Sequence, residues 1–387
     1  MSSLAQAVQA THAVHPSQRA LALDAASVVP SDPSQRAGFD IGWDHAHHGL
    51  VPPAELLHAG TPVAQGWLAG KAVFGARGVV PNRFHRQWLA LRLLAWRKNM
   101  VFDGKQVTPH YLMQIQVAHC PVTRARVGGG AGQADAAFVD ILNPASGFVA
   151  GNLATLSLQA VQARAGMDLP SALRQARAQQ AGAAPASGLD AAAWWRLAVL
   201  QSFTTPMSFA EAARLPLAVL PPNRVRQVNA AQALQVLVTL LFAAPGWSKR
   251  CLAMSALQPT HTLRLEFNLF VGAMAPRVLE AGQEAAALRL ALEDAWLHER
   301  VLRRWQHFML SLGEAAAQRL LDSATAAGLA AAPAPRRGPS PLRLVGAQPG
   351  AGKLRRMARA PATAASDHAA SAPPMGRPST TARPFML

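Results

Sequence analysis

A helical period runs through the middle of this chain and limits its fold more than any other feature. Leu288, Leu292, Ala295, Leu302, Trp305, Met309 and Leu312 keep one apolar line across residues 283–312, with a polar gap at His298 and Glu299. Steps of three and four put such residues on one face of an α-helix. Arg300, Arg303, Arg304 and His307 form a basic stripe on another side. The same period recurs in Phe84, Trp88, Leu91 and Leu94 after Pro81-Asn82, with Arg83, Arg86 and Arg97 on a different face. Further helices are expected over 189–203, 229–243 and 246–257. Thr108-Pro109 supplies an N-cap and a first-turn proline for a short one. There is no internal repeat. The expected fold is mainly α, a multi-helix globular bundle.

Residues 118–166 break the pattern. They hold a Cys-Pro knuckle, a Gly-rich loop, a β-like run from Ala136 to Leu142, and then Gly147-Phe148 and Gly151-Asn152 leading into a helix that reaches Ala165. This predicts a small ββα insert between helical regions 39–117 and 167–330. Residues 1–38 lack periodicity and are expected to form a flexible extension. From Ala331 onward Pro, Gly, Ala and Ser dominate, and nine basic residues stand against Asp367 alone. Such a segment has too little apolar surface to offset the entropy of ordering, so a disordered basic tail is expected over 331–387.

Within the insert, Cys120-Pro121, Val139-Asp140, Gly147-Phe148 and Gly151-Asn152-Leu153 resemble the frame of the HNH endonucleases, whose module is a ββα-metal fold. The resemblance covers residues 118–166 only. It implies a strand histidine as general base, a divalent metal held by the preceding Asp and a helix residue, a middle Asn that orients the loop, and in many members a zinc held by two cysteine pairs. Here Asp140 and Asn152 are kept. Ile141 stands at the base position and Val161 at the second metal position; neither can do that chemistry. The zinc positions read Cys120, Thr123, Ser157 and Ala160. The resemblance therefore implies the shape without a working nuclease site, with Asp140 and Asn152 serving turns and capping. His119, beside the knuckle, is the candidate for a substitute base. No cofactor is expected, and a divalent metal only if the site is active.

The 37 Lys and Arg residues exceed the 20 acidic ones for a formal net charge of +17, a balance that favours polyanionic partners. Only five of the basic residues are Lys, and an Arg-rich, Lys-poor composition also fits a GC-rich genome. Phosphate contacts are expected from Arg124, Arg126 and Arg164 near the insert and from Arg300, Arg303 and Arg304 on the long helix. Asp44, His45, His47 and His48 are the densest set of potential metal ligands; in an extended segment His45 and His47 would face one side. Gly128, Gly129, Gly130 and Gly132 lack the Lys-Ser/Thr ending of a phosphate-binding loop and read as a hairpin connection. Trp88, Trp96, Trp296 and Trp305 sit on amphipathic helices, where core packing is expected.

Two cysteines allow at most one disulfide, which suits a reducing, cytoplasmic setting. The first residues lack a basic run followed by an apolar one, which speaks against a secretory signal. The most apolar stretch, 233–244, is too short to span a bilayer and reads as a core helix. Three functions remain open: a nucleic-acid-binding protein on a degenerate nuclease scaffold, a helical protein that binds another protein, and an active metal-dependent endonuclease with an unusual base.

Overall fold

The N-terminal helices are capped by their own sequence. Asp32 and Thr61 each precede a proline and accept a first-turn N–H, opening α1 (Pro33–His47) and α2 (Pro62–Phe74). Asn82 accepts from the N–H groups of Phe84 and His85 at the start of α3 (Arg83–Arg97). Thr108, capping the Tyr111 N–H as its sequence predicts, opens α4 (Pro109–Gln114). The computed structural model describes residues 32–329 apart from 76, 129–134, 185–186 and 283, and these belong to one compact unit. The extension before residue 32, the basic tail from 331 and Gly129, Gly130 and Gly132 lie outside the described residues.

The described chain is mainly α, with one two-stranded antiparallel sheet. β1 (Ala137–Ile141) pairs with β2 (Leu153–Ser157), from Ala137 opposite Ser157 to Ile141 opposite Leu153. Then come α5 (Leu158–Arg164), α6 (Leu169–Gln180), α7 (Ala191–Ser202), α8 (Phe209–Arg214), α9 (Ala230–Phe242) and α10 (Trp247–Ala256). The remaining helices are α11 (His261–Ala281), α12 (Ala285–Ala295), α13 (Glu299–Leu312) and α14 (Glu314–Ala326). One large apolar core joins Cys120, Leu142, Leu156 and Ala160 to Trp194, Leu237, Trp296, Trp305 and Leu320. The sheet and α5 are thus welded to the C-terminal helices. A smaller core sets Ile141, Phe148 and Leu153 against Leu91, Tyr111, Leu112 and Ile115. Trp296 and Trp305 are fully buried as expected, while Trp88 and Trp96 are half-buried and donate their indole N–H groups to Val107 O and Ser34 O.

Three local expectations change. The flexible extension expected over 1–38 gives way to α1 at Pro33, and Asp44, His45 and His47 lie on that helix rather than in an extended run, with His48 at its end. The interior glycines that weaken its helical signal are its contact face. A Cβ on Gly42 would lie 2.7 Å from Trp67 N of α2, one on Gly66 would meet the Phe39 carbonyl of α1 and one on Gly70 the Ala46 Cβ, while Gly38 faces Pro62 and Trp96. Residues 153–157, expected to begin a helix, form β2 instead. Leu153, Ala154, Thr155 and Leu156 are all buried, so no polar alternation marks the strand. The single long helix over 283–312 is two helices. The end of α12 tightens, with Leu297 N–H on Asp294 O and His298 N–H on Ala295 O, and α13 starts at Glu299, inside the polar gap. Trp296 at the break turns into the core and donates to Thr239 Oγ1 at 3.0 Å. No helix among the described residues is long and apolar enough to cross a membrane, and α9 is a core helix.

Candidate nucleic-acid interface

The loop between the two strands is held by one asparagine. Asn152 is 2% exposed; its Nδ2 donates to Asn143 O and Gly147 O, each at 2.8 Å, and its Oδ1 accepts Asn143 N–H at 2.9 Å. Asn143 in turn caps the turn at Pro144–Ser146 and donates to Thr204 O. Phe148 docks by backbone bonds to Val101 O and from Asp103 N. A buried amide that satisfies three backbone groups acts as a structural clamp.

Asp140 sits on β1 with Oδ2 2.5 Å from Arg164 Nη1 on α5. Arg164, expected at a phosphate, is instead 2% exposed, and its Nε and Nη2 are buried without partners. Its guanidinium lies on the carboxylate oxygen that a cation would need. Ile141, at the base position, is buried in the smaller core beside Leu91, Tyr111 and Phe148. Val161 packs against the large core. These residues do not fit a divalent metal: one acid is already neutralised and two positions are hydrocarbon. His119 is exposed on the knuckle, bridged to Arg126 across its short hairpin.

Four further positions meet at one spot. The Ser157 hydroxyl is 3.4 Å from Cys120 Sγ and 3.1 Å from Thr123 Oγ1, and it accepts the Ala160 N–H at 3.4 Å. These are the four places where the resemblance would put zinc thiolates, filled here by one thiol, two hydroxyls and a methyl. Burial pushes the Cys120 thiol up, but hydrogen bonds from Ser157 and Thr123 outweigh it and leave the pKa below the ordinary value. At 1% exposure the sulfur is closed to reagents. Both cysteines are free.

Arg124 also turns inward. Its Nη1 and Nη2 grip Asp294 at 2.9 and 2.6 Å, and Nη2 lies 3.3 Å from Glu293, which ties the knuckle to α12. This cluster walls a cavity of about 460 Å³ lined by His119, Pro121, Pro222, Arg289 and Leu290. Arg126, Arg300, Arg303 and Arg304 are exposed, and Arg303 has Glu299 one turn away at 3.6 Å. Two of the six expected phosphate contacts are therefore used inside the protein. Two exposed arginines stand outside that set. Arg224 and Arg226 are exposed beside the clamped loop, where Arg226 N–H donates to Gly151 O at 2.9 Å. Their proximity depends on a contact between residues about seventy positions apart, which no local pattern signals.

The histidines on α1 are drawn inward one by one. His45 is buried with Nδ1 2.7 Å from Ile41 O, so that nitrogen carries the proton. His48 is buried against His47 and His85. Asp44 pairs with Arg92. Among the described residues no group of three or more His, Cys, Asp and Glu side chains is placed to hold a metal ion. Burial lowers the pKa of His45, with Arg92 acting in the same direction, and burial together with the His85 and His47 charges lowers that of His48. The unfolded chain therefore binds more protons than the native one as pH drops below 6.5, and stability falls with it. We expect urea titrations to show a loss of stability between pH 7.5 and 5.5, about 1.4 kcal/mol per unit of pKa separation. Replacing His45 and His48 by Gln should flatten the profile; an unchanged acid slope in that variant would refute the assignment.

The chain matches no family model, no curated protein and no solved structure.

Proposed function

We propose that this protein binds nucleic acid in the cytoplasm on an HNH-like hairpin that has lost its cleavage chemistry. The reading is carried by one contrast: the hairpin's own acid is cancelled by Arg164, while Arg224 and Arg226 remain exposed beside its loop and Arg126 on the preceding knuckle. The charge supports the reading, because removing the nine cations and one anion of the tail from +17 leaves +9 on the rest of the chain. The hairpin followed by a short helix, and the meeting of Cys120, Thr123, Ser157 and Ala160, fit a decayed HNH module. Phosphate contacts need only cations and backbone N–H groups, so binding outlives catalysis.

The test is supercoiled plasmid mixed with the full chain at low salt, with Mg²⁺, Mn²⁺ or chelator. The expected result is retarded, intact plasmid under all three conditions. Metal-dependent nicking would make the protein an active endonuclease with an unusual base, His119 being the first to replace. A second reading, a protein partner, draws on exposed leucines of the C-terminal helices: Leu252 is 72% and Leu279 70% exposed. It gains ground if plasmid mobility is unchanged.

A further inference from the structure

The segment 221–228 lies against the loop that Asn152 clamps, and the contact is fitted at Gly151. That residue has φ +92°, and a Cβ there would meet Arg226 Cβ at 2.8 Å, so a side chain would push the segment away. Its carbonyl accepts Arg226 N–H, and its N–H donates to the Tyr111 hydroxyl at 2.8 Å. Because that hydroxyl accepts there, its own proton is available to a further partner. Val225 is 7% exposed and tucked inward, which turns Arg224 and Arg226 on either side toward solvent. Arg224 is held at φ +66°, an uncommon conformation for a residue with a side chain. Neither arginine pairs with an acid among the described residues. Burial pushes the Tyr111 phenol up, and the Gly151 N–H and the Arg224 charge pull against it.

We propose that Arg224, Arg226 and the Tyr111 hydroxyl form a seat for one backbone phosphodiester of a nucleic acid beside Gly151. The inference rests on the nucleic-acid reading above and gives it a location. Guanidinium groups present paired N–H donors that match phosphate oxygens, and the hydroxyl adds a third direction. The seat is rigid because Asn152, Tyr111 and the Gly151 carbonyl hold its base. The three groups that would touch the phosphate lie outside the ββα insert in sequence and at none of the nuclease positions.

The test measures anisotropy of a fluorescein-labelled 20-base-pair duplex with the full chain, in chelator, across a KCl series. Arg224→Gln with Arg226→Gln is compared with Arg177→Gln and Arg319→Gln, which removes the same charge from exposed positions elsewhere. Urea unfolding of each variant checks that the fold is kept. The seat predicts at least about tenfold weaker binding at 50 mM KCl, and a salt slope shallower by about 0.9 for the one lost phosphate contact. The control pair should shift affinity by no more than about twofold. If both pairs weaken binding equally, the seat is wrong while nucleic-acid binding stands. If the wild-type chain fails to bind at low salt, the seat and the reading fall together.

Discussion

Replacing Gly42 or Gly66 by alanine is expected to pull α1 away from α2 and cost roughly 3 kcal/mol, at the upper end of overpacking effects. Each helix carries Gly-x-x-x-Gly, and the two touch through their backbones at Gly42, which faces Val63 and Trp67, and at Gly66, which faces Phe39. A Cβ on Gly66 would overlap the Phe39 carbonyl, with its carbon 2.7 Å away, and one on Gly42 would overlap the Val63 carbonyl. Backbone cannot rotate aside as a side chain can, so the helices must separate. Separation also loosens Ile41 and Val63 from Leu56, Leu93 and Trp96. Helix propensity alone predicts the opposite sign, a gain of about 1 kcal/mol for alanine over glycine. Urea unfolding read with amide exchange over residues 33–74 separates the two. Loss of protection in both helices supports the close contact; a stabilised variant would refute it.

The second large effect concerns the acid and arginine of the hairpin. Asp140→Ala is expected to cost about 3 kcal/mol, the low end for breaking a buried pair, because Asp140 keeps some contact with solvent. The substitution leaves Arg164 charged at 3% side-chain exposure with no acid beside it. Changing both residues, Asp140→Leu with Arg164→Met, removes the charge together with its partner and should recover most of the loss. Urea unfolding of Asp140→Leu, Arg164→Met and the double variant closes the cycle. Additive losses would mean that the pair does not couple. The coupling also affects any functional assay, since activity lost in Asp140→Ala would report an unfolded hairpin before it reported a missing metal ligand.

The legible parts of the fold were those encoded within a few residues. Thr108-Pro109 marks a capped helix, Phe84, Trp88 and Leu91 mark an amphipathic one, and the run ending at Leu142 marks a strand, expected as the second of its pair and found as the first. Asn152 was assigned to the loop, and the loop is what it holds. The unread parts depend on partners distant in sequence. Gly38 and Gly42 hide α1 because they suit a helix only when α2 and Trp96 lie close against them. Leu153–Ser157 hides β2 because both its faces are covered. Arg164 reads as a surface cation on a short helix until Asp140, twenty-four residues earlier, draws it inward. Arg124 is drawn to Asp294 over a still longer separation. Charge alone does not say which arginines face solvent, and that decides where a polyanion can bind.

The most direct test of the account is the affinity of the wild-type full chain for a labelled duplex, measured in chelator between 50 and 200 mM KCl. Two to four phosphate contacts predict binding at 50 mM that weakens by about tenfold to hundredfold at 200 mM, with the duplex intact throughout. Absence of binding at 50 mM, or an affinity that ignores salt, would contradict it.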